Sequence, residues 1–321
     1  MTAVVIQSKP LSTSDQKLAR EAKRRNIPVF LDICDSPFAK FSHNPIVSGH
    51  QLLLTKRLLR LADHLTVPTA VMKEVFEARG FRDLPISVVP DIAIPDGWER
   101  DSQHWFTHFS SEGLLEELAG NCATGLTVDT AHESYRDKAQ ARRSAGKPIK
   151  LLWFGLAKSK FGKMGLKSLQ QNLISIAHVH GQSPVELNVV SSDERLFERL
   201  ISDAPFPTHF CRWEPGKVQE LLNDTDITVL PTSNDPFNRV KSANRMLLSL
   251  GMGVPVITSP HPSLEHLKDA VWTGAVAEGV YVLAHDSARY SQLMQNAQSA
   301  IEAHYSPQVL ANMWCELIDH A

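Results

Sequence analysis

The 321-residue sequence predicts an α/β fold with two Rossmann-like, doubly wound parallel-sheet domains, the first of them abbreviated. Three observations predict it. Short β-branched runs alternate with amphipathic stretches, the alternation breaks once between Asp96 and Lys147, and it then restarts more regularly. Strands that alternate with helices need crossover connections, and these build mostly parallel sheets with covered faces.

In the first unit "AVVIQ", "IPVFLDIC", "HLTVP" and "ISVVP" read as strands. Between them "SDQKLAREAKRRN", "SGHQLLLTKRLLRLA" and "AVMKEVFEARG" carry helical periodicity, the last closed by Gly80. From Trp98 to Lys147 no clean strand appears, and "ESYRDKAQARRSAGK" is charged with little to bury, so this segment is read as a helical linker region. The second unit has strands at "IKLLWFG", "VELNVVS", "THFCRW", "DITVLP" and "VPVITS". Helices are expected around "MGLKSLQQNLISIAHVH", "DERLFERLI", "PGKVQELLND" and "KSANRMLLSLGM". The tail from Asp286 reads as two helices broken at Ser306-Pro307, where Ser306 caps the last helix and Pro307 fits its first turn. The resulting division is 1–97, 98–147, 148–300 and a C-terminal helix in 301–321.

Composition narrows the function classes. With 43% hydrophobic and 21% charged residues the chain reads as an ordinary soluble globular protein. A formal net charge of −2 gives no global attraction to nucleic acid, so no nucleic-acid partner is expected, while a local basic patch stays open. The start "MTAVVIQSKP" lacks the apolar core of a signal peptide and no run approaches membrane-span length. A cytoplasmic location without a transmembrane segment is expected, with peripheral membrane contact left open. Cys34, Cys122, Cys211 and Cys315 form no Cys-x-x-Cys pair, which argues for reduced, buried thiols and against a metal site. His104 and His108 lack the intervening glutamate of a zinc protease, and His178 and His180 suit a helix C-terminus without a metal.

Two stretches carry candidate chemistry. In "LLWFGLAKSKFGKMGLKSL", Gly155 ends a strand and Lys158, Lys160, Lys163 and Lys167 follow without an acidic residue among them. Such a loop entering a helix can cradle a diphosphate, since backbone N–H groups, the helix dipole and ammonium groups converge on the anion; a solvated lysine loop is the alternative. A P-loop is excluded, because Gly155 and Gly162 enclose too many residues and Met164 stands where a magnesium-binding Ser or Thr is required. In "DITVLPTSNDPFNRVKSANRMLLSLGMGVPVITS", a buried strand runs into Thr232, Ser233, Asn234 and Asp235, and then into Lys241, Ser242, Asn244 and Arg245 at a helix start. Lysine neutralises phosphate, while Asn and Ser bond ribose or sugar hydroxyls, so the set suits a nucleotide sugar. Capping by Ser242 plus surface charge is the competing explanation.

The order "WFG", basic loop, "DITVLPT", "KSANR", "GVPVITSPHPS" and a final helix containing Trp314 resembles glycosyltransferases of the GT-B fold, specifically the bacterial family 4-like group. "VFLDICDSPF", "LADHLTVPTAVMKEVFEARG" and "ISVVPDIAIP" resemble the acceptor-side domain of those enzymes, so the likeness spans most of the chain outside Trp98–Lys147. The resemblance implies a nucleotide-sugar donor (UDP-, GDP- or similar) held mainly by the C-terminal domain, with no further cofactor required. It also implies a last helix that crosses back onto the first domain. Lys241 and Asn244 match the family's Lys-x-x-Asn-Arg pattern, Gly155 the glycine beside the diphosphate, Lys163 a basic partner, and Asp235 the approximate first acidic place of the Glu-x7-Glu motif. Thr232, Ser242 and Arg245 complete the donor set. Two departures stand out: Leu248 occupies the place of the second acidic residue, and the first domain is short, as if an initial β-α-β portion were missing.

Asp32 and Asp35 end a strand and His43 follows, so any of the three could deprotonate an acceptor hydroxyl. Asp35 could equally form an Asx turn, and His43 could merely pack beside Pro45. The expected activity is transfer of a sugar from a nucleotide-sugar donor to a hydroxyl of a glycan or small-molecule acceptor, as in surface polysaccharide synthesis. The alternatives are a non-catalytic GT-B-like protein that binds a glycan, a nucleotide or a partner transferase, and another sugar-nucleotide enzyme such as an epimerase.

Overall fold

The computed structural model describes residues 3–7, 11–38, 45–92, 146–157 and 165–320. The first sheet contains β1 (Val4–Gln7), β2 (Val29–Asp32), β3 (His64–Val67) and β4 (Ile86–Val88), all parallel and in chain order. Helices α1 (Thr13–Arg24), α2 (Pro45–Leu59) and α3 (Ala70–Ala78) connect them. Ser12 and Asp15 start α1 with a reciprocal capping box, and Thr69 caps α3 through the Met72 N–H. Each new strand joins on the same side, so right-handed crossovers put all three helices on one face.

That face holds the first core, in which Val29 and Leu31 of β2 meet Leu58, Leu59, Leu65, Met72 and Phe76. Side-chain alternation sends Phe30 and its register partner His64 to the opposite face, where their rings stack at 5.3 Å. There the ring of Trp314, from the last helix, meets Phe30 edge-on at 6.3 Å. The C-terminal helix thereby packs on the face that α1 to α3 leave bare.

The second sheet contains β5 (Ile149–Phe154), β6 (Val185–Ser191), β7 (Thr208–Arg212), β8 (Ile227–Leu230) and β9 (Val256–Thr258). It is parallel with order β7-β6-β5-β8-β9, so the winding reverses between β5 and β8. Every residue of β8 and β9 is buried, as strands covered on both faces require. The helices are α4 (Leu166–Gln170), α5 (Leu173–His180), α6 (Glu194–Leu200), α7 (Lys217–Leu222), α8 (Asn244–Gly251), α9 (Val276–His285), α10 (Ser287–His304) and α11 (Pro307–Asp319). Ser306 caps α11 and Pro307 opens it.

Four expectations are corrected. The stretch "MGLKSLQQNLISIAHVH" forms two helices with a break at Gln171–Asn172. A helix absent from the sequence-based assignment, α9, forms at "VAEGVYVLAH", where Val, Gly and Val weaken the local signal and packing on α5 and β9 supplies the stability. The 300/301 boundary falls inside α10, because the chain breaks only at Tyr305 and Ser306. Cys34, Cys211 and Cys315 are free thiols but only partly buried, while Cys122 lies outside the described residues. His104 and His108 lie outside them too.

The two units join through a 3-10 turn, Asn238–Val240, that follows β8. Val240 is 3% exposed and belongs to the core of the first sheet, although its chain segment belongs to the second. Thr69, just beyond β3, donates its hydroxyl to the Val240 carbonyl at 3.2 Å. The C-terminal rims of the two sheets therefore meet here. No helix among the described residues is long and apolar enough to cross a membrane.

Candidate functional site

In an open parallel sheet, ligands bind outside the C-terminal strand ends where the strand order reverses, because the loops there diverge and leave a crevice. In the second sheet this place lies between the ends of β5 and β8, flanked by Gly155 and Thr232. Both residues stand among those the sequence singles out.

Arg245 of α8 turns back beneath this crevice. Its Nη1 donates to the Phe154 carbonyl at 2.9 Å, and no acidic partner faces it among the described residues. Desolvation pulls its pKa down to about 10, which still leaves it cationic at neutral pH. A Cβ on Gly155 would lie 2.7 Å from that Nη1, so glycine is what lets the guanidinium approach the strand end. Gly165 closes the same loop with φ +77°, and a Cβ there would sit 2.1 Å from the Leu156 carbonyl oxygen. The two ends of the basic loop are thus pinched together, with the Leu166 N–H on the Ala157 carbonyl. Lys158, Lys160 and Lys163 lie in the loop outside the described residues.

On the other side of the crevice, Asp235 organises its own loop. Its carboxylate accepts the Phe237 and Asn238 N–H groups at 3.0 Å, Ser233 Oγ at 2.6 Å and Asn238 Nδ2 at 2.8 Å. The loop is held to the next one by His261 Nε2 donating to the Asn238 carbonyl and by Ser263 Oγ donating to the Lys241 carbonyl. Burial lowers the His261 pKa, which keeps the ring neutral, so its Nδ1 accepts the Ser263 N–H at 3.2 Å. Thr232 is anchored through its N–H to Ser259 Oγ at 3.1 Å. Its buried hydroxyl has no partner among the described residues, a condition shared by Thr228 deeper in β8.

The next segment carries Arg239, Lys241, Asn244 and Arg245. Arg239 is exposed, Lys241 lies over the Phe237 ring at 4.7 Å, and Asn244 is exposed at the first helical position. Ser242 does not cap the helix: the N-cap is Ala243, and among the described residues no side chain caps the first turn of α8. A helix start without a side-chain cap beside a partly buried, desolvated cation is favourable for an anion, through the N–H groups and the dipole together.

Across the junction, Gln7, Asp32 and Thr66 are register partners at the ends of β1, β2 and β3. Asp32 accepts the Thr66 hydroxyl at 2.7 Å and a Gln7 amide N–H. Burial raises the Asp32 pKa above the usual carboxylate range, Asp91 adds to the rise, and the two hydrogen bonds oppose it. Asp35 follows on the same rim, partly buried, whereas His43 lies outside the described residues.

Two features escaped the residue-by-residue reading. Trp213, just past β7, is 55% exposed, and its N–H bonds the Ser191 carbonyl while Ser191 Oγ bonds the Gly155 carbonyl. This gives one continuous rim from Trp213 to Gly155, and its only sequence signal was an aromatic residue at a strand end. The second concerns the acidic motif: counting eight residues back from Leu248 reaches Val240, not Asp235. Leu248 packs against the second core and Val240 into the first, so both places are filled by apolar packing residues.

No protein-family model matches the chain, and no curated protein does. Solved structures do. Anabaena HepE, in complex with UDP and glucose, is similar at 11% identity over 95% of this chain and 76% of that one, with TM-score 0.59. Sucrose-phosphate synthase from Thermosynechococcus elongatus is similar at 14% identity over 95% and 71%, with TM-score 0.56. A glycosyltransferase from Rickettsia africae is similar at 11% identity over 96% and 80%, with TM-score 0.53. Two parallel α/β sheets joined rim to rim, with a last helix returning to the first, are thus the GT-B fold of glycosyltransferases.

Proposed function

We propose that this chain is a glycosyltransferase of the family 4-like group that binds a nucleoside-diphosphate sugar at the β5/β8 crevice and transfers the sugar to an acceptor hydroxyl. The observation that carries this reading is Arg245, a desolvated guanidinium without an acidic partner among the described residues, held at the switch point beside the uncapped start of α8. A diphosphate is the dianionic group that this charge and these N–H groups complement. Lys241, with Lys163 from the basic loop, would offset charge on the leaving diphosphate. Asn244, Ser242 and the Thr232 hydroxyl, which has no partner among the described residues, would bond sugar or ribose oxygens, while Asp235 holds their loop in shape. That HepE was solved with UDP and glucose supports a UDP-sugar as the first donor to test.

The acceptor would approach from the rim of the first sheet. Asp32 suits proton abstraction there, because a carboxylate whose pKa is raised by burial is a stronger base than a solvated one. Acceptors with a sugar-like hydroxyl, including growing surface glycans, fit this role.

Val240 and Leu248 favour a second reading, a non-catalytic binding partner, since neither apolar side chain can accept a ribose hydroxyl proton. Calorimetric titration with UDP, GDP, ADP, CMP and their sugars, repeated on Arg245→Ala and Lys241→Ala, separates the possibilities. Saturable binding of one nucleotide sugar that both substitutions weaken, followed by turnover with a hydroxyl acceptor, supports the transferase. Binding without hydrolysis or transfer supports the partner protein, and folded protein that binds none of the panel refutes the donor site.

A further inference from the structure

We propose that His261 is a positioning residue for the donor site, whose neutral imidazole holds the backbone of Lys241 in the shape that donor binding requires. This role rests on the donor site proposed at the β5/β8 crevice. His261 stands in the segment after β9, where every second residue bonds the opposite loop after β8. Ser259 Oγ accepts the Thr232 N–H, His261 Nε2 donates to the Asn238 carbonyl, and Ser263 Oγ donates to the Lys241 carbonyl.

The last two bonds belong to a closed circuit. The Asn238 carbonyl also accepts the Lys241 N–H at 2.9 Å, and the Ser263 N–H donates back to His261 Nδ1 at 3.2 Å. Lys241 is thereby gripped at its N–H through Asn238 and at its carbonyl through Ser263, and the imidazole joins the two grips. Val240, between Asn238 and Lys241 in the chain, packs into the first core, and its carbonyl accepts the Thr69 hydroxyl. The turn that sets Lys241 is therefore tied to both units. The side chain of Asn238 bonds Ser233 and Asp235, which leaves its carbonyl as the point where the imidazole takes hold.

These partners settle the state of the ring. A carbonyl only accepts and a backbone N–H only donates, so Nε2 carries the proton and Nδ1 carries none. Protonation turns Nδ1 into a donor facing the Ser263 N–H, and the circuit opens at that bond. Burial holds the ring below its ordinary value of 6.5, and the bond to the Asn238 carbonyl works against that. In the loop after β8, Asp235 favours the cation and Arg239 opposes it. Lys241 lies on the same loop, and the ring's own segment carries Glu265 and His266. Helix α3, packed on the 3-10 turn Pro262–Leu264, carries Lys73, Glu74 and Glu77. The circuit is intact above pH 6.5 and is lost as pH falls through the lower value of the folded protein.

The test is calorimetric titration of the full chain, His261→Gln and His261→Ala with UDP-glucose, GDP-mannose and ADP-glucose, at about pH 8 and about pH 5. The diphosphate of these donors does not titrate over that range, so a change with pH belongs to the protein. Affinity of the unaltered chain should fall roughly tenfold toward the acidic end. Glutamine keeps an N–H for the Asn238 carbonyl and takes up no proton, so His261→Gln should bind with intermediate affinity, equal at the two pH values. His261→Ala should bind most weakly at the higher pH, again without a step. Melting temperatures at both pH values separate positioning from stability alone. Affinity that is flat with pH in the unaltered chain overturns the proposal, as does a step that persists in His261→Gln. A melting temperature altered by His261→Gln with the affinity profile unchanged makes the residue structural only, and overturns it too. Folded protein that binds none of the three donors at either pH refutes the donor site itself, and this role with it.

Discussion

Both sheets are parallel, yet the first runs β1-β2-β3-β4 in chain order and the second reverses between β5 and β8. The reversal sends successive loops in opposite directions and opens a crevice, whereas an unreversed order stacks its loops side by side. The contrast appears in the side chains. On the rim of the first sheet Asp32 is bonded to both Gln7 and Thr66, while the crevice of the second holds Arg245 and a Thr232 hydroxyl without a partner among the described residues. The proposed donor site draws on this unmet polar capacity of the second sheet.

Gly165→Ala should disturb the second sheet most, because its Cβ would collide with two carbonyl oxygens at a φ of +77°. A stability loss of at least about 3 kcal/mol in denaturant titration, with nucleotide binding abolished, is expected. A neutral outcome would show that the loop ends are not pinched as described.

Arg245→Ala comes next. It should weaken nucleotide affinity roughly 10- to 100-fold, because a charged hydrogen-bonding group is lost, and Arg245→Lys should not restore it fully. Calorimetry that finds affinity unchanged would remove the contrast between the crevice and the first rim. Val240→Ala tests the junction instead of either sheet: it should cost roughly 2 kcal/mol through the first core, although residue 240 belongs to the second unit. Unaltered thermal stability would mean that the two units do not fold against each other.

Asp32→Asn should have the smallest effect on stability, with a defined sign. The folded pKa is raised, so ionisation costs more in the folded state than in the unfolded one. That penalty is absent below the unfolded value near 3.8, grows as pH rises through it, and reaches its full size above the folded pKa. The substitution should therefore raise the melting temperature at pH 7 and leave it unchanged at the acidic end. The opposite order would place Asp32 in a setting that stabilises its charge. If Asp32 is the base, transfer should fall steeply while donor affinity holds.

Much of this was legible in the sequence because it is written in local pattern. All nine strands found among the described residues lie within the runs picked out by β-branched content, and Ser306-Pro307 marked the start of α11. The helix α9 was not legible, since Gly279 and its valines carry weak local propensity and packing decides their state. For the site, Gly155, Thr232 and the stretch from Lys241 to Arg245 were visible as types. That Arg245 turns inward while Asn244 faces solvent was not.

The sequence by itself determined the strand-helix alternation, the two-unit division and the polar groups placed at strand ends, because periodicity and capping act over a few residues. Only the tertiary structure decided where the strand order reverses, that Val240 leaves its own unit for the other's core, and that Trp314 returns to Phe30. Those outcomes depend on contacts between distant residues, which are selected by burial and shape across the whole chain and leave no local periodicity to read.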